Sequence, residues 1–314
     1  MSTPTPFSAD AHFSDAWLTL REPADHRARD AQLTHAADHW LAQRASIPAT
    51  ATLVDLGCGS GSNLRYLAPQ LRTPQYWRLV DHDASLLEHA RSRCGELVSA
   101  AGEPIQLTTL EATLTQALDD ALDGADLVTA SALLDLVSAE WIDTLAARCR
   151  EFGCAVLFTL SVDGEIHFQD SAGMTLEDND DRFVFDTLAT HQQRDKGVGE
   201  ALGTLAPSYL KQAFLRHGYH LREAPSPWRL GRETWPLIDA LMAGWRTALL
   251  EQAPAQATRI ENWYRARLSA LDAGRLMLTL GHRDLLALPP ESAPGMSFDT
   301  SFETSVATPQ DRPA

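Results

Sequence analysis

The sequence has few basic residues for its length and no long apolar run. In a chain of 314 residues, 26 Lys and Arg are set against 42 Asp and Glu, giving a formal net charge of −16. Such a charge repels phosphate backbones and anionic membrane surfaces, so we expect neither nucleic acid nor a membrane as a partner. No apolar stretch approaches the length of a membrane-spanning helix. A small-molecule substrate fits best, with a cationic or neutral protein side chain left open, and the composition leaves the oligomeric state open.

Cysteine is also scarce, and its positions exclude two kinds of site. Four cysteines (Cys58, Cys94, Cys149 and Cys154) show neither metal-ligand spacing nor a dense disulfide framework. The start Met-Ser-Thr-Pro carries no secretion signal, so we expect reduced thiols and a cytoplasmic protein. The acidic run at 177–181 does not match a calcium loop, and we expect it to be a solvated loop. The sequence predicts no metal site.

One segment, residues 53–64, carries most of the functional information. It reads Leu-Val-Asp-Leu-Gly-Cys-Gly-Ser-Gly-Ser-Asn-Leu. A short apolar run, typical of a buried parallel strand, ends at three glycines on alternate positions, and a helical pattern follows. Glycine permits the sharp turn and lets a ligand lie against bare backbone. The helix then directs its unsatisfied N–H groups at whatever occupies the loop.

The spacing of these glycines separates the loop from two related motifs. A dinucleotide-binding fingerprint would need its third glycine at Ser62, and a phosphate-binding P-loop would need a lysine that is missing here. Asp55, just before the first glycine, would repel a pyrophosphate. A ligand that carries a sulfonium and an ammonium group would accept that carboxylate.

A second acidic residue lies at the end of the next predicted strand. The strand pattern that begins at Trp77 ends on Asp81, twenty residues after Gly61. A carboxylate at the end of the second strand can accept both hydroxyls of a ribose. Together these residues resemble the class I S-adenosylmethionine-dependent methyltransferases, whose first motif has the form acidic-hydrophobic-Gly-x-Gly-x-Gly. The resemblance covers about residues 50–160.

The resemblance implies S-adenosylmethionine as cofactor and a set of residues that contact it. Glu111 would lie near the adenine edge and Ser131 would face both cofactor and substrate, although a plain surface acid explains Glu111 nearly as well. We interpret Cys58 as a small packing residue in the loop and not as a nucleophile. The predicted cofactor-binding residues are Asp55, Gly57, Cys58, Gly59, Gly61, Asn63, Asp81, His82, Glu111 and Ser131.

Strand and helix patterns alternate through the first half of the chain. This predicts an α/β fold with a doubly wound, mostly parallel, seven-stranded Rossmann-like sheet, N-terminal helices and a helical cap insertion. The predicted strands are 51–56, 76–81, 104–108, 124–130 and 154–161, and the predicted helices between them are 62–71, 84–94, 112–121 and 138–152.

The chain divides into four predicted parts: an N-terminal helical lead (1–45), the cofactor-binding core (46–161), a C-terminal half with the cap insertion (162–288) and a disordered tail (289–314). The lead is predicted as one helical pattern over 13–44. In the C-terminal half we expect helices at 207–217, 232–251 and 256–272, a strand at 219–224 and a strand pair near 275–288. About fifty residues separate the last strands, which form a close hairpin in the family.

Catalytic candidates are weaker, because methyl transfer to a carbon activated by sulfonium needs mainly alignment and water exclusion. His191 and Arg194 lie in a charged run before several glycines, and we expect this loop to close over the substrate. His191 would be a general base and Arg194 a carboxylate clamp; a hydrophilic helix end is the alternative. Asp135 is a third candidate, as a residue that orients a donor, and an acidic residue at a helix start is the alternative.

Three further features have simple structural explanations. Arg21, Arg27 and Arg29 could bind the cofactor's carboxylate or be ordinary surface residues. Trp228 is expected to be a packing residue, and Gly281-His282-Arg283-Asp284 an exposed turn.

The sequence therefore predicts a methyltransferase that acts on a small metabolite. Two alternatives stay open: an aminopropyl transferase on the same fold, and a non-catalytic protein that binds S-adenosylmethionine.

Overall fold

The computed structural model of the protein describes residues 14–44, 50–116, 118–192 and 200–290. The helices are α1 (Asp15–Ala28), α2 (Ala31–Arg44), α3 (Ser62–Leu67), α4 (Ala84–Cys94), α5 (Leu118–Leu122), α6 (Ala139–Phe152), α7 (Asn179–Gln192), α8 (Ala206–Arg216), α9 (Trp235–Gln252) and α10 (Ala257–Asp272). The strands are β1 (Ala51–Leu56), β2 (Gln75–Asp81), β3 (Gln106–Glu111), β4 (Leu127–Ser131), β5 (Ala155–Gln169), β6 (His220–Pro225), β7 (Trp228–Leu230) and β8 (Met277–Leu288). The predicted tail lies mostly outside the described residues.

The strands form one mixed sheet in the order β3-β2-β1-β4-β5-β8-β6, with β7 paired to β8. The first five strands are parallel, and β8 runs antiparallel to its neighbours. The predicted doubly wound sheet is confirmed, with eight strands in place of seven. Strand order reverses between β1 and β4, and a sheet of this kind binds its ligand at the carboxyl ends beside such a reversal.

Helices cover both faces of the parallel part of the sheet. Alternate residues of β1 point to opposite sides: Val54 and Leu56 pack with α5, α6 and α8, whereas Leu53 packs with α2, α3 and α4. Because both faces are buried, four of the six residues of β1 are apolar. None of the described helices is both long and apolar enough to cross a membrane.

The predicted N-terminal helices are confirmed, and the structure places a break between two of them inside the helical pattern at 13–44. The backbone leaves the helical conformation at Arg29, and Asp30 caps the helix that follows: its Oδ1 accepts a hydrogen bond from the Leu33 amide at 2.8 Å. A side chain that caps a helix in this way competes with continuation of the preceding helix. The apolar spacing on either side is similar, so periodicity did not reveal the break.

The last two long strands differ most from the prediction. β5 continues eight residues past the predicted boundary at Ser161, so the division between 46–161 and 162–288 falls inside a strand. The predicted strand pair near 275–288 is a single strand, β8, which pairs with β5, β6 and β7. The predicted exposed turn at 281–284 is wrong, because those residues lie within β8 and two of them, His282 and Asp284, are buried.

Three helices form a cap beside the far ends of β5 and β8. We use the name cap for α7, α9 and α10, which share a hydrophobic core with α1, β7 and the distal parts of β5 and β8. The acidic run before α7 is not simply a solvated loop. Asp181 is fully buried and accepts hydrogen bonds from Trp263 Nε1 at 2.7 Å and Arg267 Nε at 2.8 Å. These contacts tie the start of α7 to α10.

Candidate functional site

The glycine loop between β1 and α3 is fastened to the end of β2. The amide of Gly59 donates to Asp81 Oδ2 at 2.8 Å, and the amide of Cys58 donates to the Val80 carbonyl at 3.0 Å. Asp81 Oδ1 accepts a second backbone amide, that of Asp83, at 3.0 Å. Both carboxylate oxygens of this buried side chain are thus fixed in place at the cavity wall, and each keeps capacity to accept another hydrogen bond.

Two of the three loop glycines border a cavity, and the third does not. Gly57 and Gly59 have φ of 62° and 53°, and a Cβ at these positions would lie 2.8 Å from Leu133 Cδ1 and 3.0 Å from Leu18 Cδ1. A Cβ on Gly61 would lie 2.8 Å from the sulfur of Cys94 on α4. Gly61 was predicted to contact the cofactor. In the structure the side of Gly61 that lacks a side chain faces α4, so this glycine allows α4 to pack closely.

Asp55 presents one carboxylate oxygen that has no partner among the described residues. Its Oδ1 accepts hydrogen bonds from the Asn63 amide and from Thr129 Oγ1, whereas Oδ2 is buried without a hydrogen bond. Burial raises the pKa of Asp55 to about 6. A buried carboxylate with one open oxygen at the cavity wall is suited to a cationic group.

Arg29 fixes the orientation of Asn63 beside Asp55. Its Nη2 donates to Asn63 Oδ1 and, at 2.8 Å, to Thr159 Oγ1, and its guanidinium lies 4.3 Å from the centre of the Tyr66 ring. With Arg29 on its oxygen, Asn63 must direct its NH₂ group at Asp55. Arg29 was a candidate for direct contact with the cofactor. In the structure it contacts Asn63, and Asn63 contacts Asp55.

The cofactor cavity, as we call it, lies over the carboxyl ends of β1, β2 and β4 and has a volume of about 340 Å³. Ser131 and the half-exposed His82 line it as predicted, as does Cys58, whose pKa is raised by burial. Glu111 does not line it, because β3 extends to that residue and leaves its side chain exposed. Residues 112–115, predicted to begin a helix, form that part of the wall.

A second cavity, the acceptor cavity, adjoins the first under the cap. It has a volume of about 130 Å³ and shares Arg21, Ala132 and Leu136 with the cofactor cavity. Asp135 lines it, on the short 3₁₀ turn after β4. The shared wall residues place the second cavity directly against the first.

Backbone strain is concentrated at the boundary between the cavities. Among the described residues other than glycine, only Ala132 and Leu160 have positive φ, 52° and 57°, and both line the acceptor cavity. Their amides are held by Thr159 O at 2.9 Å and by Asp284 Oδ1 at 2.8 Å. Strained backbone persists where the surroundings fix it, and it is often found at functional sites.

The segment that contains most of this site matches a known protein family. Residues 54–152 match a family described as "Methyltransferase domain". This segment runs from β1 through α6 and includes Asp55, the glycine loop and Asp81. We call residues 54–152 the methyltransferase domain after this match. The match confirms the predicted enzyme class, a methyltransferase.

Solved structures similar to the whole chain are remote in sequence. The cyclopropane synthase MmaA2 from Mycobacterium tuberculosis is 16% identical, with a TM-score of 0.46 over 91% of this chain and 100% of that one. An S-adenosylmethionine-dependent methyltransferase from Geobacter sulfurreducens is 18% identical, with a TM-score of 0.42 over 88% and 99%. Phosphoethanolamine N-methyltransferase 2 from Haemonchus contortus is 13% identical, with a TM-score of 0.43 over 90% of this chain and only 60% of that one. No curated protein sequence matches the chain.

His191, a catalytic candidate outside the methyltransferase domain, does not line either cavity. His191 is buried on α7, and its Nε2 lies 3.3 Å from Glu251 Oε2 on α9, so it faces the helix interface inside the cap. Its neighbours Leu188 and Gln192 line the acceptor cavity, whereas His191 does not. This position argues against the predicted role as general base. Arg194 lies outside the described residues.

The sequence gives no sign that the residues of the acceptor cavity lie together, although Arg21 and Asp135 were separate candidates. Trp17 and Arg21 come from α1, Phe185 from α7, Trp245 from α9 and His282 from β8. They are far apart in the chain and follow no motif, so no local signal could have grouped them. The methyltransferase domain contributes only Ala132, Asp135 and Leu136, from the turn after β4, to this cavity.

Proposed function

We propose that the protein transfers a methyl group from S-adenosylmethionine, bound in the cofactor cavity, to a small molecule bound in the acceptor cavity. The observation that carries this proposal is the shared wall: Arg21, Ala132 and Leu136 border both cavities. In-line methyl transfer requires donor and acceptor side by side in a water-poor site. Two adjoining cavities, one of them enclosed by the cap, meet that requirement.

The residues of the cofactor cavity fit the groups of S-adenosylmethionine. Asp55 would bind the ammonium through its open Oδ2, and Asp81 would accept the ribose hydroxyls. Gly57 and Gly59 leave the backbone bare where the ligand must approach, since a Cβ there would crowd Leu133 and Leu18. Ser131, His82 and residues 112–115 complete the wall.

S-adenosylmethionine, when bound, would supply a methyl carbon activated by its sulfonium group. The protein's own contribution is alignment and exclusion of water. Ala132, held in a strained conformation by Thr159 O, fixes the turn between the cavities. We propose Asp135 as a residue that orients the acceptor, since it lines the acceptor cavity.

The acidic run at 177–181 supports no polyamine site. Its buried member Asp181 and its exposed member Asp178 pair with Arg267, and none of the run lines either cavity. An aminopropyl transferase would need such acids at the acceptor site, so the geometry favours methyl transfer. The four cysteines are buried free thiols, which supports our proposal that the protein acts in the cytoplasm.

Two measurements test the proposed function. Calorimetry should detect S-adenosylhomocysteine binding to the wild-type protein, weakened by about 1–3 kcal/mol in Asp81→Ala, the cost of lost hydrogen bonds at a charged group. Incubation with methyl-labelled S-adenosylmethionine and a small-metabolite extract should then label a low-molecular-weight product. Cofactor binding without a labelled product would favour a regulatory protein. Failure to bind S-adenosylhomocysteine would overturn the proposal.

A further inference from the structure

The walls of the acceptor cavity are mostly apolar and rich in aromatic rings. Its volume of about 130 Å³ is close to that of engineered apolar cavities that hold benzene, about 150 Å³. A single ring with one or two substituents fills such a space. The aromatic residues of the wall are Trp17, Phe185, Trp228 and Trp245, and the aliphatic ones are Leu136, Leu160, Val162, Ile166, Leu188, Leu241 and Leu280.

Two polar atoms of this wall have no hydrogen-bond partner among the described residues. They are Nε1 of Trp17 and Nδ1 of His282, and both side chains are only 5% exposed. Buried polar atoms in proteins are nearly always hydrogen-bonded, because an unsatisfied donor or acceptor costs free energy. The indole N–H can only donate, whereas the neutral imidazole nitrogen can accept. Both side chains line the acceptor cavity.

Of the charged groups around the cavity, Asp135 is the one that we propose orients the acceptor, and the others are paired or lie at the cavity edge. Arg21 forms a bidentate ion pair with Asp25, at 2.9 and 3.2 Å, and its guanidinium lies 5.0 Å from the Trp228 ring centre. Glu165 is exposed at the rim. Burial, together with the charge of Arg21, lowers the pKa of His282 to about 3. The interior therefore keeps an imidazole uncharged, and it would disfavour a ligand cation at the same place.

We propose that the acceptor cavity selects an uncharged molecule of one aromatic or heteroaromatic ring, whose polar group accepts a hydrogen bond from Trp17 and donates one to His282. This inference rests on the proposed function, since it describes the methyl acceptor. The polar group anchors the ring within the apolar wall. The opposite side of the ring then faces Ala132 and Leu136, where the cofactor cavity begins.

Small aromatic probes of matched size test the selectivity directly. By calorimetry at neutral pH, phenol should bind the wild-type protein about tenfold more tightly than toluene, as expected for one or two neutral hydrogen bonds. Benzylammonium and benzoate should bind more weakly than toluene, because each would bury a charge. Tighter binding of either ion than of phenol would overturn the inference, as would equal affinities for phenol and toluene.

Conservative variants test the two polar atoms. Trp17→Phe and His282→Phe each keep a ring and remove the polar atom, so each should weaken phenol binding by about fivefold and change toluene binding by less than about twofold. Equal losses for both probes would indicate altered packing and would contradict the assignment. Ala189→Phe, which should fill the cavity, is expected to abolish binding of both probes.

S-adenosylhomocysteine titrations of the same proteins separate the inference from the proposed function. If the wild type binds S-adenosylhomocysteine but no aromatic probe, the inference fails and the proposed function stands. If phenol binds as expected and S-adenosylhomocysteine does not bind, the cavity is an aromatic site but the proposed function fails.

Discussion

The two adjoining cavities are built in opposite ways. The cofactor cavity depends on backbone geometry within a short stretch of sequence: Asp55, the glycine loop and Asp81 lie within one strand–loop–helix–strand unit. The acceptor cavity depends on side chains from α1, α7, α9, β7 and β8, which come from both ends of the chain. A local motif can therefore specify how a cofactor is held, whereas the residues that recognise the acceptor come together only through tertiary packing.

The two cavities also treat charge differently. The cofactor side keeps a buried carboxylate, Asp55, with one oxygen open to a cationic ligand. On the acceptor side Arg21 is paired with Asp25, and Trp17 and His282 each carry a neutral polar atom without a hydrogen bond among the described residues. This contrast implies that a substitution in one region should leave the function of the other region unchanged.

The largest expected effect is on the stability of the cap. Asp181→Ala leaves Arg267 and Trp263 Nε1 without their buried partner, so we expect a loss of about 3–5 kcal/mol in the free energy of unfolding. Urea denaturation measures this loss. Asp180→Ala is the matched control, since its ion pair with Arg259 is half-exposed and should contribute at most about 1 kcal/mol. If the affinity for S-adenosylhomocysteine falls together with stability in Asp181→Ala, the regions are not separable.

The next effect concerns the glycine loop. Gly59→Val should weaken S-adenosylhomocysteine binding by about 2–4 kcal/mol, because Cβ would enter the cavity and the positive φ would be strained. Gly102→Val provides the control: φ there is 80°, but nothing lies within 4 Å of the added Cβ. It carries the same kind of strain without the obstruction, so calorimetry should show unchanged binding. Comparable losses in both variants would point to backbone strain alone.

The third effect is the pH dependence of cofactor binding. Because the pKa of Asp55 is raised to about 6, its carboxylate is mostly protonated at about pH 5 and ionised at about pH 7.5. An ammonium group binds the ionised form, so wild-type affinity for S-adenosylhomocysteine should rise across this range by about tenfold. Asp55→Asn should bind about 1.5–3 kcal/mol more weakly at the higher pH. A variant whose pH profile still rises like the wild type would assign the titration to another group.

Local structure was largely predictable from the sequence. The bounds of β1 and α4 match the predicted 51–56 and 84–94, because β1 is an apolar run ended by glycine and α4 begins at a side-chain cap. Asp83 Oδ1 accepts the amides of Ser85 and Leu86, which fixes the start of α4. These signals lie within a few residues of the structure that they determine.

The residues whose surroundings are distant in sequence could not be predicted. Asp284 was expected in an exposed turn, yet it is buried and accepts hydrogen bonds from Asp30 N, Leu160 N and Ser226 Oγ. Nothing within ten residues of Asp284 indicates these three partners. Likewise Arg29 acts on Asp55 through Asn63, a relation that exists only after α1 packs on the glycine loop.

The smallest expected effect separates the cap interior from the cavity wall. His191 and Gln192 are adjacent on α7, but only Gln192 lines the acceptor cavity, whereas His191 faces the half-exposed Glu251. His191→Gln should therefore change phenol affinity by less than about twofold and stability by at most about 1 kcal/mol. Gln192→Phe should reduce phenol affinity more, because its larger side chain would narrow the cavity. If instead His191→Gln produced the larger loss, α7 would have to turn toward the cavity in solution, and His191 would again be a candidate base.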